Sequence, residues 1–455
     1  MDRLNLAEDT DHYRLLKRIS LLSEKTGMEI YAVGGYIRDQ LLNRAVKDID
    51  ILVIGDGVEF ARKLAKFLKV RRVITYERFG TAFIPCDKYK IEVATGRREE
   101  YVPSSRKPRV YPSDLITDLS RRDFTINSIA MHLSQERWGE LIDPFHGRED
   151  LKKGLIKTPS DPYTTFSEDP LRMLRAVRFA SQFKFRIEPD TFRAIKQMVE
   201  RIKIVSQERI TEELIKILST SQPSTGFFLL EEAGLLTLIF PEISDLKGAE
   251  DRNGYYHKDI FRHTMQAVDN ISLQTKKFNL RFATLVHDIA KPATKAFKED
   301  TGWTFYGHEE VGARMLEPIC RRLKLPVKIM KYAQKMTRLH LRPISLAIES
   351  VTDSAIRRLI VEAGDDLDDL ITLCRADITS KNPLRVKKYM ANFDFVVGRI
   401  DEVREKDRMR AFQSPVRGDK IMEVCGIEPG PLVGEIKKAI EEAILEGKIQ
   451  NTYED

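Results

Sequence analysis

Apolar positions change rhythm along this chain. Over residues 11–25 they recur at helical spacing (Leu15, Ile19, Leu22), and then they break into short runs that predict strands at Ile30–Val33, Ile49–Ile54, Val73–Tyr76, Ala82–Pro85 and Ile91–Ala94, with a helix at Glu59–Leu68. Past residue 150 the strand signals vanish. Segments such as "PLRMLRAVRFASQF", "RITEELIKIL" and "LVGEIKKAIEEAIL" keep helical spacing to the end. The pattern therefore predicts an α+β fold: a small mixed-sheet head on a long all-α body. There is no internal repeat or low-complexity tract, and Pro144, Ser219–Ser224 and Asn382–Pro383 are the expected breaks. They give four segments: 1–145, 146–220, 221–385 and 386–455.

With 455 residues, 42% of them hydrophobic, the chain can bury several cores. Its net charge of +7 is compatible with a polyanionic partner. The charge is uneven: Ser105–Asp123 and Asn382–Lys420 are cationic, and Glu362–Leu370 is acidic. Any one such run is equally well a solvated helix face or loop. Cys86, Cys320, Cys374 and Cys425 lack C-x-x-C spacing, which suits reduced thiols better than a disulfide or zinc framework. The N-terminus lacks an apolar leader core, and no stretch approaches the ~18 apolar residues of a membrane span. A soluble, cytoplasmic protein without a membrane or an obligate protein partner is expected.

The first candidate chemistry lies in "YAVGGYIRDQLLNRAVKDIDILVIG". Asp48 and Asp50 are two apart on a predicted strand, so both side chains leave the same face. Paired carboxylates there can share Mg²⁺, a hard cation that takes oxygen ligands and keeps substrate phosphates in its shell. Gly34-Gly35 sits between an apolar run and a helical segment, where bare backbone can approach a triphosphate. A lone GG is usually a turn and a lone D-x-D a strand end, but in this order and with a short gap they read as a metal-dependent nucleotidyl transferase site. Downstream, Arg121, Arg122 and Asp123 can clamp phosphate and accept from a ribose hydroxyl. In "FSEDPLRMLRAVRFA", read as one helix with Pro170 in its first turn, Asp169 and Arg172 share a face and Glu168 can brace Arg172. A carboxylate and a guanidinium side by side can read a base edge, though such a pair is also an ordinary surface ion pair.

In this order, "GGYIRD", "DID", "RRDFTIN", "EDPLR" and "SQERITEEL" closely resemble the class II CCA-adding enzymes (tRNA nucleotidyltransferases) and their poly(A) polymerase relatives, over about residues 28–220. "GIEPGPLVGEIKKAIEEAILEGKI" is similar to that family's closing segment. The resemblance implies template-independent addition of the tRNA 3′-terminal CCA from CTP and ATP, by two-metal phosphoryl transfer with release of pyrophosphate. It implies that Asp48 and Asp50 hold magnesium, with Glu92 as a third carboxylate. Gly34, Gly35 and Arg38 would contact the triphosphate, supported by Asp39. Arg122 and Asp123 would recognise sugar and phosphates, and Asp169 and Arg172 would pair with the incoming base. One position departs from the family pattern: Gly96, where a bulky residue is common. Segments 1–145, 146–220, 221–385 and 386–455 then become head, neck, body and tail, with tRNA gripped by the basic tail.

Histidine is scarce, eight in all, yet His263, His287, His308 and His340 fall within one stretch. His287-Asp288, expected on an apolar helix, needs partners, and His263 and Asp377 are of suitable type. The H…HD…D order resembles the HD phosphohydrolase superfamily, "HDIAKP" matching its motif closely. This implies a divalent metal on His263, His287, Asp288 and Asp377, which His308 and His340 could extend to a second ion. A plain core His-Asp hydrogen bond is the alternative. Three functional readings result: full CCA addition; CC-only, A-only or poly(A) addition; or a metal-dependent phosphohydrolase whose head is an RNA platform. The loop predicted at Glu99–Leu119 is not shortened, which favours full CCA addition.

Overall fold

The computed structural model describes residues 3–8, 10–46, 48–86, 88–102, 105–248, 250–252, 255–257, 259–347, 350–380, 382–411, 416–445, 448–449 and 452–453. Backbone contacts gather the chain into two units, Met1–Arg338 and Leu339–Asp455. The division falls inside the 221–385 segment drawn from the sequence.

The first unit opens with helix α1 (Asp11–Thr26), strand β1 (Glu29–Val33), α2 (Gly35–Leu41), β2 (Asp48–Ile54) and α3 (Gly57–Phe67). Strands β3 (Ile74–Tyr76), β4 (Thr81–Cys86), β5 (Tyr89–Thr95), β6 (Arg97–Val102) and β7 (Ser105–Pro112) follow, then α4 (Leu115–Ser120), β8 (Ala130–His132) and β9 (Leu141–Ile142). Seven strands form one sheet in the order β3-β4-β5-β2-β1-β8-β9. All five predicted strands and the α3 helix are present, with ends shifted by a residue or two. Pairing of β2 with β5 is parallel and sets Asp50 opposite Glu92. Along β2 the side chains alternate: Ile49, Ile51 and Val53 are buried on one face, and Asp48, Asp50, Leu52 and Ile54 occupy the other. On that second face Leu115 and Leu119 of α4 pack with Leu52, Val33, Tyr31 and Ala130. The apolar cover ends there, which leaves the β2 carboxylates at the open end of the sheet.

Helix ends follow local chemistry. Asp56 accepts from Glu59 N (2.9 Å) and Asp114 from Thr117 N (2.9 Å) at the starts of α3 and α4. A helical series comes next: α5 (Gly147–Lys153), α6 (Pro162–Glu168), α7 (Leu171–Phe183), α8 (Pro189–Met198) and α9 (Gln207–Leu218). The helices Ile260–Gln274, Phe278–Val286, His308–Arg322 and Val327–Leu339 come later. Buried Arg281 ties this region together, donating to the carbonyls of Leu218 (3.0 Å), Thr220 (2.7 Å), Ser272 (3.1 Å) and Thr275 (2.9 Å). The second unit is helical by itself. Its 29-residue helix Pro383–Ala411 buries Phe393, Val396, Ile400 and Val403 along one stripe.

Three expectations need correction. The body is not free of strands: Leu155–Ile156 pairs with Arg186–Ile187, and Ala296–Lys298 with Gly302–Thr304. Runs of two or three residues are too short to show a period of two. Glu99–Leu119 is the β6–β7 hairpin followed by α4, not a loop. "RREEYV" has no apolar alternation because the hairpin is outside the central sheet; side chains 99–109 lie outside the described residues. "FSEDPLR" is two helices, with Asp169 extended (φ −136°) as the C-cap of α6 and Pro170 before α7, because a residue preceding proline is pushed out of the helical region. The four cysteines are free, as expected.

Gly147 shows how tightly the head is closed. A Cβ there would lie 2.1 Å from the Thr125 carbonyl oxygen, and Asp150 accepts from Thr125 Oγ1 (2.6 Å). Gly147→Ala is therefore expected to destabilise the head by about 1–3 kcal/mol, as overpacking does. A thermal unfolding transition lowered by several degrees checks this; an unchanged transition would show that the Thr125 turn yields freely.

A candidate nucleotide site and a histidine cluster

Strand β1 ends at Gly34, whose φ of 66° and ψ of −128° suit a residue without Cβ. A Cβ there would lie 2.6 Å from Arg122 Nη1 and 3.5 Å from Asp50 Oδ2. The bare backbone is thus what lets cation and carboxylate meet over the turn. The same argument explains Gly96: its Cβ would strike Ile54 Cδ1 (2.8 Å) and Ser113 O (2.9 Å), so a bulky residue does not fit this strand end.

A cavity of about 360 Å³ opens beside this turn, lined by Gly34, Gly35, Arg38, Asp50, Arg122 and Asp123 together with Asp169, Arg172, Arg175 and Arg209. Two predicted segments over 100 residues apart in sequence thus face one space. Asp48 is the exposed first residue of β2, on the same face as Asp50. Burial, then the neighbouring Glu92, push the Asp50 carboxyl up to about 6, with Asp48 adding to the effect and Arg122 and Arg38 opposing it.

Each cation is held by a specific partner. Arg38 donates bidentately to Asp39 (3.0 and 2.8 Å) and through Nη1 to Asn127 Oδ1 (2.6 Å). Fully buried Asp118 takes Arg121 on Oδ1 (3.1 and 2.6 Å) and Arg122 on Oδ2 (3.2 and 3.0 Å). Burial alone would raise its pKa, but the two guanidiniums hold it below the usual carboxylate range. Asp123 accepts from Phe124 N (2.9 Å), Asn127 Nδ2 (2.8 Å) and Arg175 Nε (2.7 Å). Against its complete burial, Arg175 and these hydrogen bonds bring it down to about 2. Asp169 accepts from Arg209 Nη2 (2.9 Å). Arg172 donates to Glu168 (3.2 Å), to Thr165 O (3.3 Å) and to Arg121 O (2.7 Å), so the expected Glu168 brace is present.

Asp118, Asn127, Arg175, Phe179 and Arg209 escaped sequence reasoning. For two of them a signal existed: Arg172, Arg175 and Phe179 fall at i, i+3 and i+7 on α7, one helix face. Asp118 sits in "DLITDLS", a segment that resembles any short amphipathic helix and gives no warning of a buried carboxylate.

The histidine cluster lies elsewhere in the first unit. His287 and Asp288 follow the helix Phe278–Val286 instead of lying within it. Asp288 is surrounded: His287 Nε2 is 3.3 Å and His263 Nε2 3.5 Å from its Oδ2, and His308 Nε2 is 3.4 Å from its Oδ1. Lys291 Nζ donates to Oδ2 at 2.6 Å. His287 Nδ1 and His308 Nδ1 each lie 2.7 Å from a backbone carbonyl, of Thr284 and Phe305, which turns both Nε2 atoms inward. That is how ligating imidazoles are oriented. Although burial opposes ionisation, His287 and Lys291 hold the Asp288 carboxyl well below its ordinary value. Within the second unit, His340 is buried and its carbonyl accepts from Cys374 Sγ (3.0 Å), while Asp377 caps the helix Leu367–Ala376.

Known proteins resemble this chain along most of its length. Residues 30–157 match the model of the poly A polymerase head domain, 184–247 that of the probable RNA and SrmB-binding site of polymerase A, and 260–381 the HD domain. The chain is 31% identical to the A-adding tRNA nucleotidyltransferase of Deinococcus radiodurans, over 93% of each chain. It is 32% identical to the multifunctional CCA protein of Chromobacterium violaceum, over 73% of this chain and 79% of that one. The solved CCA-adding enzyme of Bacillus stearothermophilus in complex with CTP shares the fold, with a TM-score of 0.61 at 24% identity, over 98% of this chain and 95% of that one. Head and HD domain both imply use of divalent metal.

The raised Asp50 carboxyl has a measurable consequence. Because its pKa is higher folded than unfolded (ordinary value 3.8), its contribution to stability is complete below about pH 4 and is lost as pH rises through about 6. In metal-free protein, Asp50→Asn is expected to unfold at a higher temperature than the parent at pH 7.5. The gain is about 2 kcal/mol once solvent screening of this half-buried group is allowed for, and it closes near pH 4. A pH-independent gap would contradict this origin.

Proposed function

Because this chain belongs to the CCA-adding tRNA nucleotidyltransferases, we propose that its Gly34 cavity is where CMP and AMP are joined to the tRNA 3′ end. One observation carries the reading: Asp50, with Asp48 on the same face of β2 and Glu92 opposite it on β5, shares one arginine-lined cavity with Asp169 and Arg172. The oxygen-only donor set of Asp48 and Asp50 fits Mg²⁺, which when bound activates the attacking hydroxyl and steadies the leaving pyrophosphate. The chain's own groups do the positioning. Gly34 and Gly35 leave room for the triphosphate, and Arg38 and Arg122 offer it fixed N–H donors. Asp169 accepts from a base amino group while Arg172 donates to ring atoms. Asp123 acts through Arg175 and Asn127, since these already take its carboxylate. Residues 1–145 act as catalytic head, 146–220 as neck, 221–385 as body with the HD domain and 386–455 as tail. The setting is cytoplasmic; no helix among the described residues is long and apolar enough to cross a membrane.

A second reading, A-addition alone, is favoured by the end-to-end match to the Deinococcus radiodurans enzyme. A further activity is proposed for the histidine cluster: a divalent metal on His263, His287 and Asp288, all within the HD match, acting on 2′,3′-cyclic or 2′-phosphate RNA ends.

Incubating tRNA that ends before CCA, or at C or CC, with labelled CTP and ATP separately and together separates these readings. Asp48→Ala is expected to lower incorporation of both nucleotides by about 10²–10³-fold or more while sparing any phosphatase activity; the reverse pattern would make the histidine cluster the sole enzyme. The tail helix exposes Arg385, Lys387 and Lys388, whereas residues 412–415 of the basic stretch lie outside the described residues. If this helix grips tRNA phosphates, Lys387→Ala/Lys388→Ala weakens tRNA binding and flattens its log–log salt dependence by about two phosphate contacts. An unaltered salt slope would remove the proposal.

A further inference from the structure

Beneath the triphosphate arginines lies an aromatic pair with no assigned role. Phe179 and Phe183, one turn apart on α7, stack with ring centroids 5.6 Å apart and planes 8° from parallel. Four guanidiniums surround them. Arg38 lies 5.1 Å from the Phe179 centroid and 4.8 Å from that of Phe183; Arg178 and Arg175 lie 3.9 and 5.5 Å from Phe179, and Arg44 5.0 Å from Phe183. Phe124 meets Phe179 edge-on at 5.8 Å and wedges the stack from the side.

Three of these cations also have an in-plane carboxylate: Arg38 has Asp39, Arg175 has Asp123 and Arg178 has Glu213 (2.6 Å). A guanidinium held edge-on by a carboxylate and face-on by a ring has its plane fixed in two directions. Carboxylates alone would leave each arginine free to swing about the ion pair, and four like charges this close would spread apart. The negative faces of the rings offset part of that repulsion at no cost in net charge. A third carboxylate type of support would instead neutralise the site and weaken its hold on a triphosphate.

We propose that Phe179 and Phe183 are positioning residues for the nucleotide: a cation–π floor that holds Arg38 and Arg175 in the planes the triphosphate requires before it arrives. The inference rests on the reading of this cavity as the nucleotide site. It predicts that the ring face acts on nucleotide affinity, equally for CTP and ATP, because phosphates and not bases feel it.

Phe183 is the residue to change, since it is half-buried whereas Phe179 belongs to the core. Phe183→Leu is expected to raise KM for CTP and for ATP by about 10-fold with kcat and the KM for tRNA nearly unchanged, the size of one partly desolvated cation–π contact. Phe183→Trp, which keeps a ring face, is expected to restore parental KM. The unfolding temperature of both variants reports on packing alone and is expected to stay together. Unchanged KM in the leucine variant, equal losses in leucine and tryptophan variants, a loss confined to one nucleotide, or a fall in kcat alone would each overturn the proposal. A parent protein that transfers no nucleotide would sink the reading of the cavity; a transferring parent beside an unaffected leucine variant would sink the aromatic floor alone.

Discussion

Six guanidinium groups, those of Arg38, Arg121, Arg122, Arg172, Arg175 and Arg209, face one cavity, and they stay there because ion pairing outweighs their mutual repulsion. The carboxylates of Asp39, Asp118, Asp123, Glu168 and Asp169 are interleaved among them at hydrogen-bond distance. Buried charges are expensive unless paired and fully hydrogen-bonded. Asp118 meets that condition with one oxygen per arginine, and the cost of burying it is recovered as a pair of donors aligned side by side. The cavity is therefore lined by guanidiniums held in ion pairs, with Asp50 near the start of β2 as a further carboxylate.

The two chemistries differ in how they are built. At the nucleotide cavity the donors come from elements distant in sequence, brought together by the sheet and by α7. In the histidine cluster, His263, His287 and His308 converge on one carboxylate, and two of the rings are fixed by carbonyls three residues upstream. The first rests on side-chain ion pairs, whereas two histidines of the second are set by their own local backbone.

Much of this was legible in the chain itself. Strands with strong apolar alternation were placed within a residue or two, because burial on one face writes a period of two into β2 and β5. Asp48, Asp50, the glycine pair and the Arg122-Asp123 step were visible because their residue types and order are unusual. The misses have physical causes. The sequence pattern puts Asp169 in a helix because proline is tolerated in a first turn, whereas the steric effect of Pro170 on the preceding residue ends one helix before the next begins. Asp118 and Arg209 matter through partners that only folding supplies, and short polar hairpins leave no apolar rhythm to read.

The parallel pairing of β2 with β5 has a consequence for how the molecule matures. Sliding β2 by a single residue would turn Ile49, Ile51 and Val53 onto the face now held by Asp48, Asp50 and Leu52, and carry Asp50 away from Glu92 in the same movement. The greasy residues that police strand alignment thus also certify the acidic edge. A chain that buries these residues in register has thereby set Asp50 opposite Glu92, with Asp48 on the same face.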